Sequence, residues 1–277
     1  MRYTLPKGYL SASAISMLQR CPKQYEFRYI QNKILPPNAA LATGSIAHKT
    51  LETYFLDVMS SRSRLTPKQT GELSVTVLDE WLQENENTMT GNEREEAIGV
   101  LPDLMERYVQ NVGQNLNPVA VETKAEMITP GGVKVLGYID LEYTPVGSDD
   151  KRPRIADYKV TTKKKTMSEL KNSLQFNLYS LMTGIGNIQI HNMLKTKGRP
   201  ISRPSKEEGV IDYATNLRVL EYEFDGSQYG HFTNLVETAA ALITSGIFMP
   251  CDPTSWCCNP EWCGYWNLCR GGGASGA

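Results

Sequence analysis

One stretch limits the possible folds of this chain more than any other. Between Val133 and Val160 it reads as two short apolar segments around a polar turn. Val133, Val135, Ile139 and Leu141 give the first segment a strand-like pattern, and Ile155 and Val160 bracket the second. Thr144 to Arg154 between them holds Pro145, Gly147, Ser148, Asp149, Asp150 and Pro153, which is turn chemistry. The reading is a pair of antiparallel strands carrying Asp140 and Asp157, with Lys159 on the same face as Asp157 by the period of two. Two carboxylates on adjacent strands form a hard oxygen site suited to Mg²⁺ or Mn²⁺. A lysine beside them can polarise water or steady a phosphate charge. The plainer alternative is a hairpin with solvated charges, because Asp-x-Lys on its own is common.

Composition sets the class. The chain has 277 residues, 40% hydrophobic and 21% charged, as in an ordinary globular protein. Its net charge of −1 rules out a global basic field, so any nucleic-acid surface must be local. No apolar run has transmembrane length, and the segment from Met1 to Gly8 lacks the apolar core of a signal peptide, so no membrane is expected and the cytoplasm is the expected compartment. Stable disulfides are rare there, which points the six cysteines toward metal ligation or buried thiols. Gly271 to Ala277 reads as a flexible tail.

The order of elements follows from periodicity and caps. A helix opens at Ser11-Ala12-Ser13, with Ser11 or Ser13 as N-cap, and aromatic residues 24–30 continue as a further turn or two. Another helix begins at Gly44, with Ala47, Leu51, Tyr54, Phe55 and Val58 on its apolar face and His48 and Glu52 on another. Residues 61–117 read as a helical insertion or lid, with Glu93, Glu95 and Glu96 on a solvated face. Strands follow at 119–128, 133–143 and 154–160. Thr166 to Glu169 has the form of a capping box and starts one helix with Leu170, Leu174, Leu178 and Leu181 inward and Gln175 and Tyr179 alongside. Two more strands, at 188–190 and 219–224, are separated by a basic loop, and a last helix runs over 227–245. The expected class is α/β, a central mixed sheet flanked by helices.

The ordered set resembles a known group. Gly44-x3-His48, Glu122, Gly137-x2-Asp140, Asp157-Tyr158-Lys159 and Gln175-x3-Tyr179 stand in the order of RecB-like PD-(D/E)XK nucleases. Ser11-Ala12-Ser13, Cys21-Pro22-x2-Tyr25 and the terminal cysteines are similar to its iron–sulfur branch, which includes the AddB nuclease domain and CRISPR-associated RecB-like exonucleases. The resemblance spans about residues 10–270 and implies a restriction-endonuclease-like core in one nuclease domain over 1–270, with a cysteine-rich tail at 250–270. It implies His48, Asp140, Asp157 and the Tyr158 carbonyl as metal ligands and Lys159 as the catalytic lysine. Gln175 and Tyr179 would shape the site and touch the DNA backbone, Glu122 is the acidic residue of the first core strand, and Glu52 would support His48. Lys163-Lys164-Lys165, Lys151-Arg152-x-Arg154 and the five basic residues within 195–206 are candidate phosphate contacts.

The same resemblance implies a cluster held by one N-terminal and three C-terminal cysteines. Cys21, Cys263 and Cys269 match that plan. The usual tail is Cys-x2-Cys-x5-Cys, but Pro260 stands at the middle position, so Cys258 or Cys257 must serve as the fourth ligand. Four thiolates suit a 4Fe–4S cluster or tetrahedral zinc, and the resemblance favours the former. In either case the metal is a staple between chain ends. Trp256, Trp262 and Trp266 are expected to pack around it. The implied activity is a metal-dependent deoxyribonuclease, an exonuclease on single-stranded DNA ends. Recombination, repair, phage DNA metabolism or CRISPR adaptation is the setting. The alternatives are a non-catalytic DNA end-binding subunit of a larger complex and a cysteine-based redox or iron sensor.

Overall fold

The structure is a computed structural model and describes residues 4–61, 63–85 and 88–271. Residues 272–277, part of the tail expected to be flexible, and the first three residues lie outside the described residues. The chain forms two compact units. One comprises Pro37–Lys124 and Tyr138–Gly226, the other Met1–Pro36, Ala125–Gly137 and Ser227–Ala277.

The first of these is built on a sheet with six strands: β1 (Leu116–Ile128), β2 (Lys134–Pro145), β3 (Arg154–Thr161), β4 (Asn187–Leu194), β5 (Val210–Ala214) and β6 (Leu217–Glu223), in the order β1-β2-β3-β4-β6-β5. β2 and β3 are antiparallel, with Leu141 opposite Ala156, so Asp140 and Asp157 reach neighbouring positions. β3 and β4 are parallel, with Tyr158 opposite His191. A parallel pair needs a crossover, which α6 (Met167–Lys171) and α7 (Leu174–Thr183) supply. β4 is buried at six of its eight residues and β3 at four of eight, as expected for strands covered on two faces. β5 falls inside the stretch read as a basic loop, and its pairing with β6 breaks at a bulge between Asp212 and Ala214.

Helices cover this sheet. α3 (Ala39–Ser61) begins five residues before the expected Gly44, because Asn38 caps it: its Oδ1 accepts from Leu41 N–H at 2.9 Å. α4 (Pro67–Glu84) and α5 (Gly91–Asn111) each start on a full capping box, Thr66 with Gln69 and Thr90 with Glu93. Glu93 is thus a cap and not merely a solvated charge. α4 and α5 do not stand off as a lid. Val77, Leu78, Leu101, Leu104 and Tyr108 share one buried cluster with Ile46, Leu51, Phe55 and Tyr158. The helix expected to run on from Thr166 is two helices. Asn172 and Ser173 interrupt it, and Ser173 recaps α7 through Phe176 N–H. The inward face of α7 is Phe176 to Ser180; Leu174 and Leu181 are only partly buried.

The second unit holds α1 (Ala12–Arg20), α2 (Pro22–Tyr25) with a π-helical turn over Glu26–Ile30, α8 (Tyr229–Ser245) and the short α9 (Trp266–Arg270). Ser11 caps α1, and Leu10 forms a parallel bridge to Val135. Phe27 stacks on Tyr265 at 5.5 Å, and the Tyr265 hydroxyl donates to the Lys33 carbonyl at 2.7 Å. Trp266 packs against this group, but Trp256 and Trp262 do not: they are 68% and 70% exposed. Among the described residues no helix is long and apolar enough to cross a membrane.

Candidate active site and thiol cavity

His48 stands on the one face of α3 turned away from the Ile46–Leu51–Phe55 core. Its Nε2 contacts the Tyr158 carbonyl at 2.8 Å and its Nδ1 lies 3.4 Å from Asp140 Oδ2. The same Asp140 oxygen accepts the Tyr158 N–H at 2.7 Å, so β2 and β3 grip each other through the carboxylate. An imidazole between a carbonyl and a carboxylate is best satisfied when both nitrogens carry protons. Burial pulls His48 down, but the hydrogen bond and charge of Asp140 outweigh it and leave the pKa raised. For Asp140, burial pushes up and the contacts to His48 win, so its pKa is lowered.

Glu122 completes this corner. One ligand atom each from His48, Glu122 and Asp140 lies within 4.8 Å of the others. Burial and then the Asp140 charge push the Glu122 carboxyl up to about 7. Glu122 also has φ of +49°, in the left-handed region where a non-glycine residue is strained by roughly 1–3 kcal/mol. Such strain gathers where side-chain placement matters more than local comfort.

A second group sits on β3 and α7. Asp157 is buried, its Oδ1 accepts from Gln175 Nε2 at 2.9 Å, and its Oδ2 lies 2.5 Å from Lys159 Nζ. The Lys159 ammonium thus forms an ion pair with this buried Oδ2. Burial pushes Asp157 up to about 6 against the pull of Lys159. Gln175 spends its other N–H on the Tyr179 hydroxyl at 2.8 Å, and that hydroxyl donates to the Tyr138 carbonyl. Tyr179 therefore braces the site between Gln175 and the Tyr138 carbonyl. Glu52 pairs with Lys49 at 2.9 Å and does not reach His48.

Two buried residues near the site, Asn192 and His191, carried no motif. Asn192 donates to the Lys159 carbonyl and to Thr161 Oγ1, and accepts from Lys165 N–H at 2.8 Å, fastening the end of β3. His191 Nδ1 meets the Tyr108 hydroxyl and Nε2 meets Gln189 Oε1, both at 2.8 Å, behind the Tyr158 ring. The basic clusters divide. Arg152 and Arg154 are held by Asp150 and Glu221, Lys164 by Asp212 and Lys165 by Glu169, so each is partly neutralised. Exposed Lys197, Arg199, Arg203 and Lys206 have no acidic partner among the described residues.

In the other unit, all six cysteines line one cavity with about 310 Å³ of atom-free space, its mouth included. Cys251 Sγ lies 3.6 Å from Cys257 Sγ, and Cys251 N–H points at Cys21 Sγ at 3.4 Å. Gln24 Nε2 donates to Cys263 Sγ and Arg270 to Cys258 Sγ. Burial pushes the Cys269 thiol up against the pull of the nearby Arg270 guanidinium.

A sequence profile of the PD-(D/E)XK nuclease superfamily matches residues 9–270. The chain belongs to that superfamily. Members of the PD-(D/E)XK superfamily are generally metal-dependent nucleases with DNA as substrate, and the mixed sheet with flanking helices agrees with a restriction-endonuclease-like α/β fold. No curated protein matches significantly. A solved structure titled "Crystal structure of SSO0001" superposes over 85% of this chain and 77% of that one, with 10% identity and a TM-score of 0.40. A cation site of PD-(D/E)XK type fits the residues present. The donors are one imidazole and two carboxylates, and the Glu122 carboxyl, held up by burial and then by the Asp140 charge, would be stabilised as a carboxylate by a divalent ion.

Proposed function

We propose that the chain is a divalent-metal-dependent deoxyribonuclease acting as an exonuclease on single-stranded DNA ends. The observation that carries it is the convergence of His48, Glu122 and Asp140 beside the Asp157–Lys159 pair. His48, Asp140, Asp157 and the Tyr158 carbonyl would hold the ion, with Glu122 beside His48 and Asp140 as a further donor. When bound, Mg²⁺ or Mn²⁺ supplies charge stabilisation at the phosphoryl oxygens and activates water. The mixed nitrogen and oxygen set favours Mn²⁺ over the harder Mg²⁺. Lys159 places a buried-end ammonium where phosphate charge develops, and Asp157 fixes the direction of that ammonium. Gln175 and Tyr179 keep Asp157 in place. The whole of 1–270 acts as one nuclease domain in this reading, at work on DNA ends in the cytoplasm.

The thiol cavity holds a 4Fe–4S cluster on Cys21, Cys258, Cys263 and Cys269. The support for Cys258 over Cys257 is that the Cys257 sulfur already faces Cys251. Bound iron and sulfide in equal amounts would support a cluster; bound zinc alone would replace it with a tetrahedral site.

The test is cleavage of 5′- and 3′-end-labelled single-stranded and duplex DNA with Mn²⁺ or Mg²⁺, wild type beside Asp157→Ala. Cleavage by wild type and its loss by at least a thousandfold in the variant are expected, and the label position gives polarity. Equal cleavage by both proteins overturns the assignment. Tight DNA binding without cleavage by either would move the chain to an end-binding subunit that needs a partner.

A further inference from the structure

Four thiols satisfy the proposed metal site, and the same cavity has six. The two left over are Cys251 and Cys257, and they are neighbours, with sulfurs 3.6 Å apart. The loop joining them is already turned back on itself. Asp252 Oδ1 accepts from the Thr254 N–H and hydroxyl, each at 2.7 Å, and Ser255 N–H donates to the Asp252 carbonyl at 2.9 Å. Cys257 is buried against the Ser255 hydroxyl, whereas Cys251 is partly open. A short preformed loop with facing thiols closes at little entropic cost.

We propose that Cys251 and Cys257 form a reversible disulfide beside the four-thiol site, a modification site distinct from the metal ligands. The oxidant is hydrogen peroxide. One sulfur attacks a peroxide oxygen, the O–O bond breaks, and a sulfenic acid forms with release of one water. The second sulfur attacks the first, the S–O bond breaks, and a second water leaves as the S–S bond forms. A small dithiol reverses this by exchange: its own two thiols give up the electrons and end as its disulfide. Closing the loop holds the Cys251 amide on Cys21 Sγ whether or not a metal is bound. Only the statement that the pair is surplus rests on the ligand set above; the pairing itself rests on the 3.6 Å separation and the loop.

The test uses the full chain as purified, treated with graded hydrogen peroxide, then alkylated under denaturing conditions and cleaved on the N-terminal side of aspartate. Asp252 lies between the two cysteines, so they part into different peptides unless a bond joins them. The expected result is a Cys251–Cys257 bridged peptide with loss of two of the six thiols, restored by dithiothreitol, before bound iron is released. Cys251→Ser should lose no thiol pair at the same dose. Bridges to Cys21, Cys258, Cys263 or Cys269, or six thiols surviving that dose, overturn the proposal. So does loss of bound iron in the Cys251→Ser/Cys257→Ser double variant, which would make the pair ligands. A wild type that binds no metal yet forms the bridge leaves the pair standing and removes the cluster reading instead.

Discussion

Glu122 concentrates several kinds of information in one side chain. Its backbone is strained, its carboxyl is raised to about 7, and it faces His48 and Asp140. Asparagine tolerates the left-handed region better than glutamate. Glu122→Asn should therefore keep or raise the thermal midpoint while weakening Mn²⁺ binding at least tenfold, measured by calorimetry; a large drop in midpoint with unchanged binding would make Glu122 structural. Proton competition adds a second expectation. His48, raised above 6.5, and Glu122, at about 7, must both lose protons to accept a cation. Affinity for Mn²⁺ should rise between pH 6 and pH 8, with protons released to the buffer. Titrations showing equal affinity at both pH values would remove these two groups from the site. Sequence alone put His48, Glu122 and Asp140 in order, because motif spacing survives in one dimension. It did not show that Glu122 comes within 4.8 Å of His48 and Asp140, or that Asp157 contacts Lys159 and Gln175, because those contacts exist only in the folded chain.

Among the elements, α7 links stability to chemistry. It is short, and it carries both Gln175 and Tyr179. Ser173 caps it, so Ser173→Ala should cost about 1 kcal/mol and lower cleavage by loosening the grip of Gln175 on Asp157. Denaturant midpoints and single-turnover rates on one preparation check both effects; an unaltered rate with lowered stability would uncouple them. Which elements were legible follows from their chemistry. The strands β2 and β3 announced themselves through alternation and a turn rich in Pro, Gly and Asp. β5 did not, because Val210–Ala214 is brief and lies among polar residues, and only its pairing with β6 makes it a strand. The break at Asn172–Ser173 was hidden for a related reason. The leucine spacing of a continuous helix persists across it, while the capping serine that restarts the helix is a weak signal.

For the molecule as a whole, acid sensitivity should come from a histidine outside the metal corner. Burial holds His191 neutral, with a pKa lowered from 6.5 to about 3. Between those values the unfolded chain binds a proton that the folded chain refuses, so stability falls as pH drops below 6.5. Each pH unit below that value costs about 1.36 kcal/mol, which gives a loss of about 2 kcal/mol by pH 5. Urea unfolding at pH 7.5 and pH 5 should show that difference, and His191→Gln should shrink it; an identical pH slope in the variant would place the sensitivity elsewhere. A different consequence follows from the amide of Cys251 resting on the sulfur of Cys21, 230 positions apart in the chain. A ribosome adding 5–20 residues per second needs roughly 10–50 s to cover that interval. Throughout it the Cys21 thiol is already made and its partners are not. Pro37–Gly226, by contrast, is fully translated before Cys251 is made. The sheet unit can therefore fold while the chain is still being made, whereas the thiol cavity closes only after Cys251 has been added, so the redox state of the surroundings acts on Cys21 before its neighbours exist.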